Sequence, residues 1–344
     1  MKFIKIVLVA SILLFTTNLA MALEPIPQES GFSGFIRPGV GVINYSGNMA
    51  AGLKRVDFDF AEERIDSLLD SPDSKTTAFA VINLQLAYTF ASTRTQLFVG
   101  NDLEDLLRFD LVTQAGVRQE LPDSSILAAS YVFSGIPTKV WKDPYVVYLK
   151  RQETSRNSQG VRLIWDKILG SNLQLQYTYR VIDINTEASG FFLGLPYYQA
   201  RLLRRGGNLH NAEILYRFNF AGKHWLVPAF RYAKHDLDGE ARSRDAFDGQ
   251  LTYLYTGDPI AFIVNGLIGY ADYNKRNPIY NKTQDDNRYA IGAQVYYRNP
   301  FGWKPFGSEK FSLFGSVGYF LSDANIDFYD TEVITGLVGL QFRF

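Results

Sequence analysis

From residue 79 to residue 344, apolar and polar side chains alternate with a period of two in segment after segment. Few patterns constrain a chain more. Successive side chains of an extended strand point to opposite faces, whereas a helix repeats about every 3.6 residues. The last segment is typical. Ile334, Val338, Leu340, Phe342 and Phe344 share one parity with Gly336, and Thr335, Gln341 and Arg343 share the other with Leu337 and Gly339. In Phe79–Phe90, Ala80, Ile82, Leu84, Leu86, Tyr88 and Phe90 lie on one face, and Asn83, Gln85 and Thr89 on the other.

Further segments follow over Thr95–Gly100, Leu107–Gln119, Ser125–Ser134, Gly160–Lys167, Leu173–Asp183, Leu209–Phe220, His224–His235, Ala246–Tyr255, Pro259–Tyr273, Asn287–Arg298 and Lys310–Leu321. With a Gly-rich first strand at Phe35–Ile43 and the closing strand, the count is fourteen. Connections alternate long and short, with one exception at 299–308. An even count with short turns at one end and long loops at the other is the pattern of transmembrane barrels. Tyr145–Glu153 could add a strand but would break parity, so it is assigned to an extended extracellular hairpin; 12 or 16 strands stay open. Within the long insertion 45–76, Ala61, Ile65, Leu68 and Leu69 recur at helical spacing and predict one short amphipathic helix.

The outward set is almost wholly apolar: Leu111, Ala115 and Val117; Leu173, Leu175, Tyr177 and Tyr179; Ile260, Phe262, Val264 and Ile268; Leu313, Val317 and Tyr319. Backbone groups in hydrocarbon have no water to bond, so a spanning sheet must close on itself. Aromatic pairs near strand ends, such as Tyr88/Phe90, Phe218/Phe220, Tyr253/Tyr255 and Phe342/Phe344, suit the two interfacial girdles. The fold expected is all-β, a transmembrane antiparallel β-barrel of about 14 strands with long extracellular loops and short periplasmic turns. A secreted β-sandwich is the rival, but its outer face would be polar.

Lys2 and Lys5, the apolar run Ile6–Phe15 and Ala20-Met21-Ala22 read as a signal peptide over 1–22. The run is too short for a membrane anchor, and no later stretch reaches the ~18 apolar residues of a spanning helix. Residues 23–31 then form a short, disordered periplasmic lead, and 32–344 one barrel domain in the Gram-negative outer membrane. Zero net charge argues against nucleic-acid binding. The absence of cysteine removes disulfides, thiolate metal sites, cysteine nucleophiles and a lipidated N-terminus. No cofactor is expected.

A strand ending on Phe344 resembles the closing strand of Gram-negative outer-membrane barrels, where such an end is an assembly signal for the barrel-assembly machinery. Over most of its mature length the chain resembles the domain-of-unknown-function family DUF2860 of uncharacterised Gram-negative envelope proteins. The matching residues are Pro25-Ile26-Pro27-Gln28-Glu29-Ser30-Gly31-Phe32-Ser33-Gly34-Phe35, Leu86-Ala87-Tyr88-Thr89-Phe90, Leu103-Glu104-Asp105-Leu106 and Val140-Trp141-Lys142-Asp143-Pro144-Tyr145. That resemblance implies an outer-membrane barrel and no activity. Lys142 stands where an acidic residue is expected, so that loop is given no functional role.

Parity turns fourteen ionisable residues into the lumen: Arg37, Arg108, Asp110, Arg118, Arg162, Asp166, Arg180, Glu213, Arg217, Arg231, Asp248, Arg288, Arg298 and Arg343. Guanidinium groups inside a low-dielectric wall concentrate anions, and their planar fork matches carboxylate or phosphate. The reading is a pore or facilitator for small anionic solutes. The same residues could instead pair, Arg with Asp110, Asp166, Glu213 and Asp248, and rigidify a blocked, structural or adhesive barrel. A channel for hydrophobic solutes resembling the long-chain fatty-acid transporters is a third reading. Those carry a longer N-terminal plug, for which the 45–76 insertion could substitute by folding inward. Arg201, Arg204 and Arg205 on an extracellular loop could meet lipopolysaccharide phosphates or simply be solvated. The only histidines are His210, His224 and His235. His235-Asp236, near Asp238 and Asp245, is the sole rim site where a hydrolase could be built, and no catalytic motif accompanies it. An enzyme is therefore not expected.

Overall fold

A computed structural model describes residues 25–54, 58–105, 110–303 and 310–344, the side chains of 102–105, 110 and 111 excepted. The signal segment lies outside the described residues. Eighteen strands form one sheet. They are β1 (Gly31–Ser46), β2 (Ala50–Leu53), β3 (Phe58–Asp59), β4 (Ser74–Phe90), β5 (Thr95–Asp105), β6 (Asp110–Glu120), β7 (Ile126–Ile136), β8 (Thr138–Trp141) and β9 (Glu153–Asp166). Then come β10 (Leu173–Ile184), β11 (Gly207–Tyr216), β12 (Phe218–Phe220), β13 (His224–Leu237), β14 (Arg244–Tyr255), β15 (Ile260–Asn277), β16 (Lys282–Arg298), β17 (Phe311–Ala324) and β18 (Thr331–Arg343).

Fourteen staves make the wall, because β12 continues β11 and the short β2, β3 and β8 are not staves. Every neighbouring pair is antiparallel, and β18 closes the ring against β1 with Phe35 opposite Arg343 and Ser46 opposite Glu332. The seam is finished by Gly34 and Phe344, whose N–H groups each donate to the other's carbonyl at 3.1 Å. Among the described residues every stave is paired on both sides, as hydrocarbon requires.

The alternation in the sequence is the alternation in the wall. On β18, Ile334 and Val338 are exposed on the outside at 47% and 61%, while their neighbours Val333 and Leu337 are buried at 0% and 3%. Val117, Leu175, Tyr177, Ile260, Val264, Ile268 and Val317 are likewise exposed apolar side chains. Among the described residues no helix is long and apolar enough to cross a membrane. Aromatic clusters sit at stave ends, such as Phe220, His224 and Tyr255 beside one short turn. A transmembrane strand needs roughly 9–11 residues, so β15 with 18 and β16 with 17 extend beyond the bilayer at the loop end. Hence 274–286, which reads as a polar loop in the sequence, is largely strand, and only 278–281 turn.

The lumen is crossed by the chain itself. β8 pairs with the loop end of β9, β2 with β8, and β3 with β2. Ala50, Ala51, Leu53, Phe58, Phe60 and Trp141 of this inward flap pack against Ile43, Phe79, Val81, Phe314, Phe320, Val333 and Leu337 on the far wall. Each large apolar side chain so buried contributes about 1.5–3 kcal/mol. The short helix expected around 61–69 does not form. That stretch has no regular structure; Ala61 and Ile65 are buried in different apolar clusters, and Leu69 stays 74% exposed. Tertiary burial has overridden a weak local period. The lead is not loose either: Ile26 is buried, and Arg94 donates to the carbonyls of Ile26 and Pro27 at 2.6 Å.

Candidate functional site

Above the flap, the long loops close the barrel's loop end. Ile65, Tyr145, Leu203, Ile326, Phe328 and Tyr329, from four different loops, form one apolar cluster. Polar ties hold it. Tyr145 and Tyr329 share a hydroxyl hydrogen bond at 2.7 Å, and Asn277 Nδ2 donates to Tyr329 Oη at 2.7 Å. The Asp143 carboxylate accepts the backbone N–H groups of Tyr145 at 3.1 Å, Gly190 at 3.0 Å and Phe192 at 2.9 Å. Arg151 stacks over Trp141 at 4.3 Å, and burial pulls its pKa down to about 10. The Val140–Tyr145 segment, given no role from its sequence, thus knits flap to cap.

Beneath this cap is a cavity of about 190 Å³. Five guanidinium groups line it: Arg156, Arg205, Arg242, Arg244 and Arg288. Carboxylates meet Arg205 (Glu187 at 2.7 Å), Arg244 (Asp286 at 3.2 Å) and Arg288 (Asp248). Arg242 has no carboxylate partner among the described residues. It donates to Gln284 Oε1 at 2.7 Å and lies over the rings of Tyr329 at 4.2 Å and Tyr273 at 5.2 Å. Burial works against its charge, but the phenol oxygens of Tyr329, Tyr273 and Tyr145 and the Asp286 carboxylate outweigh that and raise its pKa. Arg205 Nη1 is buried without a hydrogen-bond partner among the described residues, although Nη2 donates to Trp141 O at 2.6 Å.

Below the cavity the inner wall is a ladder of charges set by strand register. Glu213 faces Arg231, Arg231 faces Asp248, and Asp248 faces Gly269, beyond which lies Arg288. A Cβ on Gly269 would collide with Asp248 Oδ1, so glycine lets the carboxylate reach across β15 to Arg288. Arg231 bonds Glu213 at 3.0 Å. Arg217 bonds Asp166 at 2.6 Å and also Gln174. Arg118 donates to Gln96, Arg162 to Thr178 and Gln114, Arg180 to Ser158, and Arg37 to Gln341.

The fourteen residues chosen by parity are therefore not one ring. Of those described, Arg288 alone lines the cavity. Arg37, Arg118, Arg162, Asp166, Arg180 and Asp248 are buried in the wall's inner network, with Glu213, Arg217 and Arg231 partly so. Arg298 and Arg343 are exposed at the turn end. Arg108 and the side chain of Asp110 lie outside the described residues. Arg205, expected on a loop surface with Arg201 and Arg204, turns inward while those two remain exposed. His235, expected at the rim, is buried and lines the cavity. His210 and His224 sit among aromatic rings, bonded to Tyr177 at 2.8 Å and Tyr253 at 2.6 Å. Arg242, Arg244 and Asp286 fell in stretches of the sequence too polar to read as strand, and Arg156 in a presumed loop; the Tyr/Arg/Asp density of 273–288 was the available signal.

A closed antiparallel barrel with an apolar outer band, a charged lumen and loops folded over one mouth defines a transmembrane β-barrel of the outer-membrane class. The chain belongs to the family described as protein of unknown function (DUF2860), whose model matches residues 31–343. No curated relative matches it. Solved structures similar to it include Pseudomonas aeruginosa OccK7 (OpdD), at 10% identity, covering 91% of this chain and 99% of that one with a TM-score of 0.38. A Pseudomonas aeruginosa FadL homologue shares 9% identity, with 94% and 93% covered and a TM-score of 0.44. A loop L8 deletion mutant of OmpT, an outer membrane protein of Vibrio cholerae, shares 8%, with 91% and 99% covered and a TM-score of 0.39.

Proposed function

We propose that this outer-membrane barrel is a facilitator for small anionic solutes that pass through a discrete binding cavity. The observation that carries it is the cavity wall: five arginines converge on about 190 Å³, and Arg242 has no carboxylate partner among the described residues. In a low-dielectric enclosure such a guanidinium favours an anion strongly. Outer-membrane lipid surrounds the apolar band, exposed Arg201 and Arg204 meet lipopolysaccharide phosphates, and Phe344 addresses the assembly machinery. No catalytic step is invoked. The test is the reversal potential of refolded protein in a planar bilayer under a potassium chloride gradient. Displacement toward the chloride equilibrium is expected; cation preference rejects the proposal.

The flap of β2, β3 and β8 across the lumen favours a second reading, a structural barrel with a blocked interior. It predicts no conductance under any gradient and no solute-dependent flux into liposomes.

A further inference from the structure

The cavity is lined by both charged and apolar side chains. Arg242, Arg244 and Arg288 come from the β13–β14 turn, β14 and β16. Ile182 and Ile184 on β10, Val140 on β8 and Ala50 on β2 supply a second, apolar kind of surface, with Arg156 on β9 opposite Ile184. A site for a hydrated inorganic anion has no use for that second surface. The rings of Tyr273 and Tyr329 fix the plane of the Arg242 guanidinium, which suits a planar, two-oxygen partner. Volume sets the size of the body: an apolar cavity of roughly 150 Å³ holds a benzene ring, and about 190 Å³ leaves room for one more small group.

We infer that the cavity is a binding site for a monocarboxylate on a compact hydrocarbon body, about the size of benzoate. This rests on the anionic-solute reading above and narrows it. The carboxylate bonds Arg242, and the hydrocarbon lies against Val140, Ile182 and Ile184.

The experiment is titration calorimetry on the refolded full chain in detergent, with sodium benzoate, sodium hexanoate, benzyl alcohol and inorganic phosphate as probes. Saturable binding of benzoate and hexanoate is expected, with phosphate and benzyl alcohol weaker by at least about tenfold. Arg242→Gln should weaken benzoate by at least about tenfold, as loss of a charge-assisted bond does. Ser322→Phe, which fills the cavity, should abolish binding whether or not Arg242→Gln refolds. If phosphate binds as tightly as benzoate, the carboxylate inference falls while the anionic-solute reading stands. If benzyl alcohol matches benzoate, or no anion binds, both fall. Benzoate binding untouched by Arg242→Gln or by Ser322→Phe places the site elsewhere and overturns the inference.

Discussion

Replacing Asp143 by alanine isolates the cap from the barrel. Its carboxylate accepts three backbone N–H groups, two of them from the β10–β11 loop, at distances of 2.9–3.1 Å. Hydrogen bonds to a charged group contribute about 1.5–3 kcal/mol each, so losing three costs on the order of 5 kcal/mol while the cap stays closed. The cap opens instead, and its opening equilibrium shifts by roughly 10³ to 10⁴. None of the three donors is in a stave, so the wall keeps its own stability. Hydrogen exchange read by mass spectrometry separates the two. Amides around Gly190 and Phe192 should exchange at least about a hundredfold faster in Asp143→Ala, with β13 to β16 unchanged. Equal exchange around Gly190 in both proteins would refute the staple; loss of protection throughout β13 to β16 would refute the independence of cap and wall.

Three other outcomes are expected. Gly269→Ala should displace the Asp248 carboxylate from Arg288, both about 7% exposed, and lower stability in urea by about 3 kcal/mol; in an Asp248→Ala background the same change should cost clearly less, only the 2.9 Å approach to the Phe247 carbonyl remaining, which a double-mutant cycle checks. Val317→Lys, on a position 63% exposed to lipid, should cost about 2–4 kcal/mol in bilayer folding titrations, whereas Ser316→Lys on the inner parity should cost less. Deleting Phe344 removes both terminal seam bonds with Gly34 and should lower the folded fraction recovered in outer membranes, seen as loss of the heat-modifiable band on gels.

The wall was legible because lipid imposes period two on every stave: Ile334 and Leu337 differ in fate only by parity. The flap was not, because residues such as Ala51, Leu53 and Phe60 are buried without an exposed face to alternate with. Only its inward folding could be entertained, as a substitute plug. The cavity was half legible. Arg288 sits within the bilayer pattern, but Arg244 and Asp286 lie where β14 and β16 rise past the lipid, and there both faces are polar. Arg205 and His235 were read by position in the chain, which carries no information on the direction a loop or a stave's last turns take into the lumen.

Everything rests on one geometric claim, that neighbouring residues of a stave face lipid and lumen in turn. Nitroxide labels at each position from Val333 to Leu340, in protein refolded into lipid vesicles, test it directly. Collision with oxygen should be high at Ile334, Val338 and Leu340 and low at Val333 and Leu337. A flat profile, or one repeating every three to four residues, would contradict the barrel and with it the cavity.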